Sequence, residues 1–230
     1  MKFDHHQIRL DDGTLTRDEP NKVVTEWIRQ ALTCLPAFRG RIADLGCLEG
    51  AYAVEFARAG YDVLGIEVRD KNFACCQYVK ERVDLPNLEF VQDNVWNVAK
   101  YGEFDAVWAG GLLYHLNDPV EFLTELRKVT KDTLVLNTHY AEKTNDSTFS
   151  VGPIEIHEGY KGRWYTEYPS PTKFESREKF ALSSWDNTHS FWLLRDELQR
   201  ALLAAGFKDV FMRFQEEATS GFNRGVFVAK

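Results

Sequence analysis

Apolar positions along this chain follow two rhythms. Ile42-Ala43-x-Leu45, Val63-Leu64-x-Ile66, Leu88 to Gln92, Phe104 to Ala109 and Leu134 to Leu136 are short apolar runs suited to strands buried in a sheet. Longer stretches with helical spacing lie between them. Ala51 to Ala59 carries small and apolar residues, with Gly60 placed as a C-terminal cap. Cys75-Cys76 falls on a second helix, and Phe122, Leu123, Leu126 and Val129 line a third. Ahead of the first strand, Val23, Val24, Trp27, Ile28, Ala31, Leu32 and Leu35 give an amphipathic helix that stops before Pro36. Strand and helix alternate to about Asn137, which predicts an α/β fold with a parallel, doubly wound sheet.

Two regions break the alternation. Residues 1–20 are polar, with a turn at Asp11-Asp12-Gly13, and read as a hairpin or arm; His5 and His6 are expected at the surface or as a lid over an acceptor. Residues 141–192 carry no clean periodicity and are rich in Trp, Tyr, Phe, His, Glu and Gly. A helix resumes at Leu194 to Ala205, capped by Gly206. Phe207 to Phe214 and Gly225 to Ala229 then pair as terminal strands around Thr219-Ser220-Gly221. The organisation is therefore a single domain: an arm and helix over 1–36, a cofactor-binding half over 37–140, an insert over 141–192, and a terminal helix and hairpin over 193–230.

The chemistry concentrates in Arg41 to Asp70. Asp44 to Gly50 reads D-x-G-x-x-x-G, and Gly46 and Gly50 allow a sharp turn and close approach of a ligand. Glu67 ends the second strand 21 residues after Gly46, where an acid can accept hydrogen bonds from both hydroxyls of a ribose. These features point to a nucleoside-containing cofactor. The G-x-G-x-x-G of nicotinamide sites is absent, and so is a G-x-x-x-x-G-K-[ST] phosphate loop. Asp44 would repel a pyrophosphate and suits the ammonium of an amino acid.

The stretch resembles the S-adenosylmethionine motif of class I methyltransferases, [DE]-x-G-x-G-x-G, with Leu48 in place of the middle glycine. Two later segments resemble the same family: Asp93-Asn94 after the third strand, and Gly110-Gly111-Leu112-Leu113-Tyr114-His115-Leu116 with Asn117-Asp118-Pro119 behind it. The resemblance implies a Rossmann-like, mostly parallel seven-stranded sheet with an antiparallel terminal hairpin and a substrate-capping insert. It implies S-adenosyl-L-methionine as cofactor, held by Asp44, Gly46, Cys47, Gly50, Glu67, Val68, Asp93, Asn94 and Gly110, with Asp93 on the adenine amino group. Leu48 is expected to keep a negative φ with its side chain turned from the cofactor; a positive φ favours a non-catalytic cofactor-binding subunit. Asp118, Pro119 and Glu121 read as N-cap, first helical residue and capping box.

A loop-rich insert beside a rigid scaffold is where specificity resides. Aromatics interleaved with carboxylates and amides suit a sugar, so Tyr114, Tyr140, Glu167, Trp185, Asp186 and Asn187 are the candidate acceptor contacts. Methyl transfer to a hydroxyl needs a base. His139, after the fifth strand, is the first candidate, ahead of His115, for which packing at its helix start is the expected role. Glu167, Asp186 and Asn187 have oxygen-ligand chemistry for magnesium, but a divalent metal is not favoured. A net charge of −7 argues against nucleic acid, although a tRNA base remains the alternative acceptor because related sequences act there. No apolar run suggests a signal peptide or a membrane span, and the four cysteines lack metal spacing. A cytoplasmic enzyme with reduced thiols and a small-molecule acceptor is the expectation; oligomeric state is not legible.

Overall fold

The short apolar runs form strands and the periodic stretches form helices, in the order the sequence predicts. The structure, a computed structural model, describes residues 1–19, 22–142, 151–168, 173–217 and 223–230, without the side chains of 22, 23, 216 and 217. The expected turn at Thr219-Ser220-Gly221 lies outside the described residues. Helix α1 (Lys22–Cys34) precedes β1 (Arg41–Leu45), α2 (Ala51–Arg58), β2 (Asp62–Glu67), α3 (Asp70–Lys80), β3 (Leu88–Gln92) and β4 (Phe104–Gly110). Then come α4 (Pro119–Val129), β5 (Thr130–Tyr140), β6 (Val151–His157), β7 (Tyr160–Thr166), β8 (His189–Leu193), α5 (Arg195–Ala205), β9 (Val210–Glu217) and β10 (Asn223–Ala229). Seven strands make one sheet in the order β3-β2-β1-β4-β5-β10-β9. Among the described residues, no helix is long and apolar enough to cross a membrane.

The chain divides into two compact units, Met1–Trp108 with Lys131–Thr133, and Ala109–Thr130 with Leu134–Lys230. In the first, β1 pairs in parallel with both β2 and β4, and β2 pairs in parallel with β3. A strand flanked on both sides must be apolar on both faces, and Ile42, Ala43 and Leu45 are fully buried. Helix α2 buries Ala51, Tyr52, Ala53, Val54, Phe56 and Ala57. Trp108 at the end of this unit stacks on Tyr52 with ring centroids 5.2 Å apart and meets Phe56 edge-on at 6.0 Å.

In the second unit, β10 runs antiparallel to β5 and β9, with an irregularity between Val226 and Phe227. The region without periodicity holds a three-stranded antiparallel sheet, β6-β7-β8, where the sequence suggests only irregular chain. Its period is hidden because β6 leaves Ile154 and Ile156 exposed, so burial does not alternate with hydrophobicity. Gly162 in β7 is required by close approach: a Cβ there would overlap the Trp192 carbonyl and the Phe191 ring.

The start of α4 differs from the expected capping box. Asp118 makes no capping bond with its side chain and instead faces His157 Nε2 at 2.9 Å. The cap comes from Glu158, whose carboxylate accepts the N–H groups of Val120 at 2.9 Å and Glu121 at 2.6 Å. Glu158 and Gly159 both have positive φ, in the two-residue turn that matches the twist of β6 and β7. That turn aims the carboxylate at the helix, and a charged acceptor outcompetes a local one. Glu158→Ala keeps the turn strain and removes the cap. It should cost about 1 kcal/mol in urea denaturation, whereas Glu121→Ala should stay within about 0.5 kcal/mol of the unchanged chain.

Candidate active site

The loop after β1 takes positive φ at every second residue: 67° at Gly46, 55° at Leu48 and 90° at Gly50. These are the three glycine positions of the resembled motif. The expectation of a negative φ at Leu48 is therefore wrong: the leucine adopts the left-handed conformation of the glycine it replaces. A leucine in this region costs on the order of 1–2 kcal/mol relative to glycine. Its main chain is fixed from both sides: Leu48 N–H donates to Glu67 Oε2 at 2.9 Å, and its carbonyl accepts the Cys76 thiol at 3.2 Å. Gly46 and Cys47 both donate to the Ile66 carbonyl, at 2.9 and 3.0 Å, tying the loop to the end of β2.

Glu67 is 5% exposed, and its other oxygen accepts the Arg69 N–H at 2.8 Å. Each carboxylate oxygen keeps a second lone pair for a hydroxyl donor. Burial pushes its pKa up to about 6. Asp44 is 2% exposed, and its Oδ2 has no hydrogen-bond partner among the described residues. Burial, with a smaller contribution from the charge of Glu67, raises its pKa to about 8. A buried carboxylate with an open oxygen needs a cation or a donor to complete it. Cys47 is buried with its sulfur 3.8 Å from that of Cys76, and burial raises both thiols, so they are packing groups. Asp93 accepts from Asn94 N–H at 2.8 Å, Asn97 Nδ2 at 2.6 Å and Tyr101 OH at 2.9 Å. Burial alone would raise its pKa, and these donors outweigh it to hold the carboxyl below the usual range. Asn94 caps the next turn by accepting Trp96 N–H at 3.1 Å. Asp44 and Glu67 thus lie in the last residues of β1 and β2, and Asp93 follows β3, at the carboxyl ends where open parallel sheets bind ligands. His6 is not a surface residue but 3% exposed, and His5 and His6 lie in the arm beside this loop, their N–H groups on Glu49.

In the second unit, Tyr114 and His115 follow Gly110 and Gly111, and His139 sits near the end of β5. Both oxygens of Glu167 lie 3.0 Å from His115 Nδ1. Glu167 also accepts Ser190 Oγ at 2.7 Å and Ser184 N–H at 3.0 Å. Burial would raise the Glu167 carboxyl, but His115, Ser190 and Ser184 together hold it below the usual range. A carboxylate on Nδ1 fixes the tautomer and leaves Nε2 as the basic nitrogen. His139 stacks flat on Trp192 at 5.3 Å and meets the Tyr114 edge at 4.6 Å. Burial, with the Arg224 charge, drives its pKa down to about 3, which leaves a weak base. Tyr165 stacks on Trp192 at 4.8 Å, Trp192 Nε1 donates to the Tyr114 carbonyl at 2.7 Å, and Arg224 Nε donates to Asn137 Oδ1.

The remaining acceptor candidates separate from this cluster in role. Tyr140 is buried on edge against Phe227, its hydroxyl with no hydrogen-bond partner among the described residues. Asn187 stitches its own loop through Ser184 Oγ and the His189 carbonyl, Trp185 packs on Phe174, and Asp186 is exposed. Among the described residues, the three-member group of potential ligand atoms within 4.8 Å of one another is Asp118, His157 and Glu158, whose carboxylates have the structural partners given above. Ser190 and Trp192 were visible as part of an aromatic, polar run, while Asn137 and Arg224 carry no sequence signal.

Residues 43–135 match the family profile described as a methyltransferase domain. A tRNA U34 carboxymethyltransferase of Desulfotalea psychrophila is 35% identical over 109 residues, 45% of this chain and 34% of that protein. A ubiquinone biosynthesis O-methyltransferase of Cereibacter sphaeroides is 30% identical over 112 residues, 48% of this chain and 44% of that protein. The chain thus spans less than half the length of these curated relatives. The crystal structure of the N-terminal domain of EvdMO1, in the presence of SAH and D-fucose, superposes with a TM-score of 0.77 at 25% identity, covering 98% of this chain and 90% of that one.

An ammonium seated on Asp44 requires the ionised carboxylate, so binding lowers its pKa and releases a proton. Calorimetry with S-adenosylhomocysteine in buffers of different protonation heat should show about one proton released per ligand at about pH 7. Affinity should rise with pH up to about 8, by at most roughly tenfold per unit. A flat affinity across that window excludes Asp44 as the ammonium's partner.

Proposed function

We propose that this chain, whose core belongs to the class I S-adenosylmethionine-dependent methyltransferase family, methylates a hydroxyl of a small polar acceptor such as a saccharide, with His115 as base. The observation that carries the choice of base is the bond from Glu167 to His115 Nδ1 at 3.0 Å. Asp44 takes the amino-acid ammonium of S-adenosylmethionine, Glu67 the ribose hydroxyls, and Asp93 the adenine side. The acceptor oxygen attacks the donor methyl in line with the carbon–sulfur bond, which breaks to leave S-adenosylhomocysteine. The acceptor's proton passes to His115 Nε2, and the buried carboxylate of Glu167 stabilises the imidazolium that results. His139, the first candidate from sequence, becomes a wall of the acceptor cluster, since a ring whose pKa burial drives to about 3 is too weak a base to take a hydroxyl proton. Tyr114 and Tyr165, half-buried and packed on Trp192, supply the aromatic surface on which a sugar's CH face stacks.

The saccharide is favoured by the neighbour crystallised in the presence of D-fucose, which aligns over nearly the whole chain. The tRNA reading is supported by the carboxymethyltransferase relative and opposed by a net charge of −7. The positive φ of Leu48 favours a non-catalytic subunit by the criterion set from sequence, and the His115–Glu167 pair opposes it.

Methyl transfer from labelled S-adenosylmethionine to panels of saccharides, phenols and tRNA distinguishes the three. His115→Ala should lose about 10²- to 10⁴-fold in kcat while binding S-adenosylhomocysteine normally. Glu167→Gln should lose less than His115→Ala, because the ring stays in place but loses the carboxylate that orients it through Nδ1. Greater loss in His139→Ala than in His115→Ala returns the base to His139. Cofactor binding with no acceptor in any panel supports the non-catalytic reading.

A further inference from the structure

Glu49 lies between two residues of positive φ, Leu48 at 55° and Gly50 at 90°, and is 1% exposed. Its carboxylate reaches the N-terminal arm. There it accepts three successive main-chain N–H groups, from Asp4 at 2.7 Å, His5 at 3.0 Å and His6 at 2.6 Å. The arm returns a bond to the other side of the loop, since Ala51 N–H at the start of α2 donates to His6 Nδ1 at 3.1 Å. His6 is 3% exposed, and burial drives its pKa to about 3, so the ring stays neutral and keeps the acceptor nitrogen this bond needs. The arm is itself anchored. Phe3, Ile8 and Leu10 are buried, Phe3 meets Tyr78 at 5.9 Å, Thr16 Oγ1 donates to the His6 carbonyl at 3.0 Å, and Asp4 pairs with Lys71.

The loop therefore has an external brace at the point where the family motif has a glycine and this chain has a leucine. We infer that Glu49, with arm residues Asp4 to His6, is a positioning residue for the cofactor loop, holding Leu48 in the left-handed conformation that glycine adopts unaided. The inference rests on the cofactor reading above. Glycine reaches this conformation without penalty, whereas leucine populates it only when its surroundings over-determine it. Loosening the brace lets the loop relax, and the apparent affinity falls by the fraction of molecules still competent to bind.

The test is a double-mutant cycle read by calorimetry with S-adenosylhomocysteine on the full chain. Glu49→Gln keeps the volume and one acceptor oxygen, so it leaves the best chance of a folded protein. It should weaken binding about tenfold, with a melting transition by circular dichroism confirming the fold. Leu48→Gly alone should bind at least as tightly as the unchanged chain. In the double variant the glycine should recover most of the affinity that Glu49→Gln loses, a coupling that separates positioning from general destabilisation. His6→Ala, which removes the bond to Ala51 without touching Glu49, should also weaken binding and be rescued by Leu48→Gly. Equal affinity of Glu49→Gln and the unchanged chain overturns the inference, as does a loss that glycine fails to rescue. Failure of the unchanged chain to bind S-adenosylhomocysteine instead removes the cofactor reading, and the inference with it.

Discussion

A carboxylate taken out of water must be met by donors that cannot leave, and main-chain N–H groups are the most dependable of these. This protein applies the rule repeatedly. Glu67 bridges Leu48 and Arg69, Glu49 gathers three N–H groups of the arm, Glu158 caps α4, and Glu167 takes Ser184 N–H beside its two side-chain donors. Each of these acids ties a turn to a segment distant in sequence. The apolar core sets the architecture, but these acids fix the loops, and leaving buried Glu49, Glu67 or Glu167 unmet would cost several kcal/mol.

Asp44 is the instructive departure. It is as buried as Glu49, yet one oxygen has no partner among the described residues, and its pKa stands near 8. The contrast separates acids whose oxygens are all met by donors of the chain from one whose Oδ2 has none among the described residues. His115 and His139 in the second unit differ in the same way. His115 is oriented by a carboxylate, whereas His139 is sandwiched by rings and opposed by Arg224. Proximity to a strand end is shared by both and decides nothing; the partner does.

The sheet was legible because its strands are apolar on both faces and punctuated by glycine, so Ile42 to Leu45 and Val63 to Ile66 announce themselves. The strand-end positions of Asp44 and Glu67 were legible because their spacing is set by the rise and return of one strand–helix–strand unit. What escaped the sequence depends on partners from far along the chain. The capping box at Asp118 and Glu121 is a sound local pattern, displaced by Glu158 from the next hairpin. The β6-β7-β8 sheet was hidden because Ile154 and Ile156 face outward. The sequence named both histidines but ranked them by position, since Glu167 and Arg224 reach them only through the fold. At Leu48 the reading erred on local physics. The turn requires a positive φ, and the leucine adopts it rather than rerouting the chain.

The arm and the loop are linked in a way that constrains how such a chain can change. With glycine at position 48, the arm is dispensable to the loop and free to drift; with leucine there, it is not. A lineage that acquires the leucine must already possess the brace, and one that later loses the brace must first restore the glycine. A residue usually read as an eroded motif then has a physical counterpart elsewhere in the chain: by the inference above, the support for this turn comes from a neighbouring segment rather than from the residue's own conformational freedom, which couples the substitutions the two stretches can tolerate.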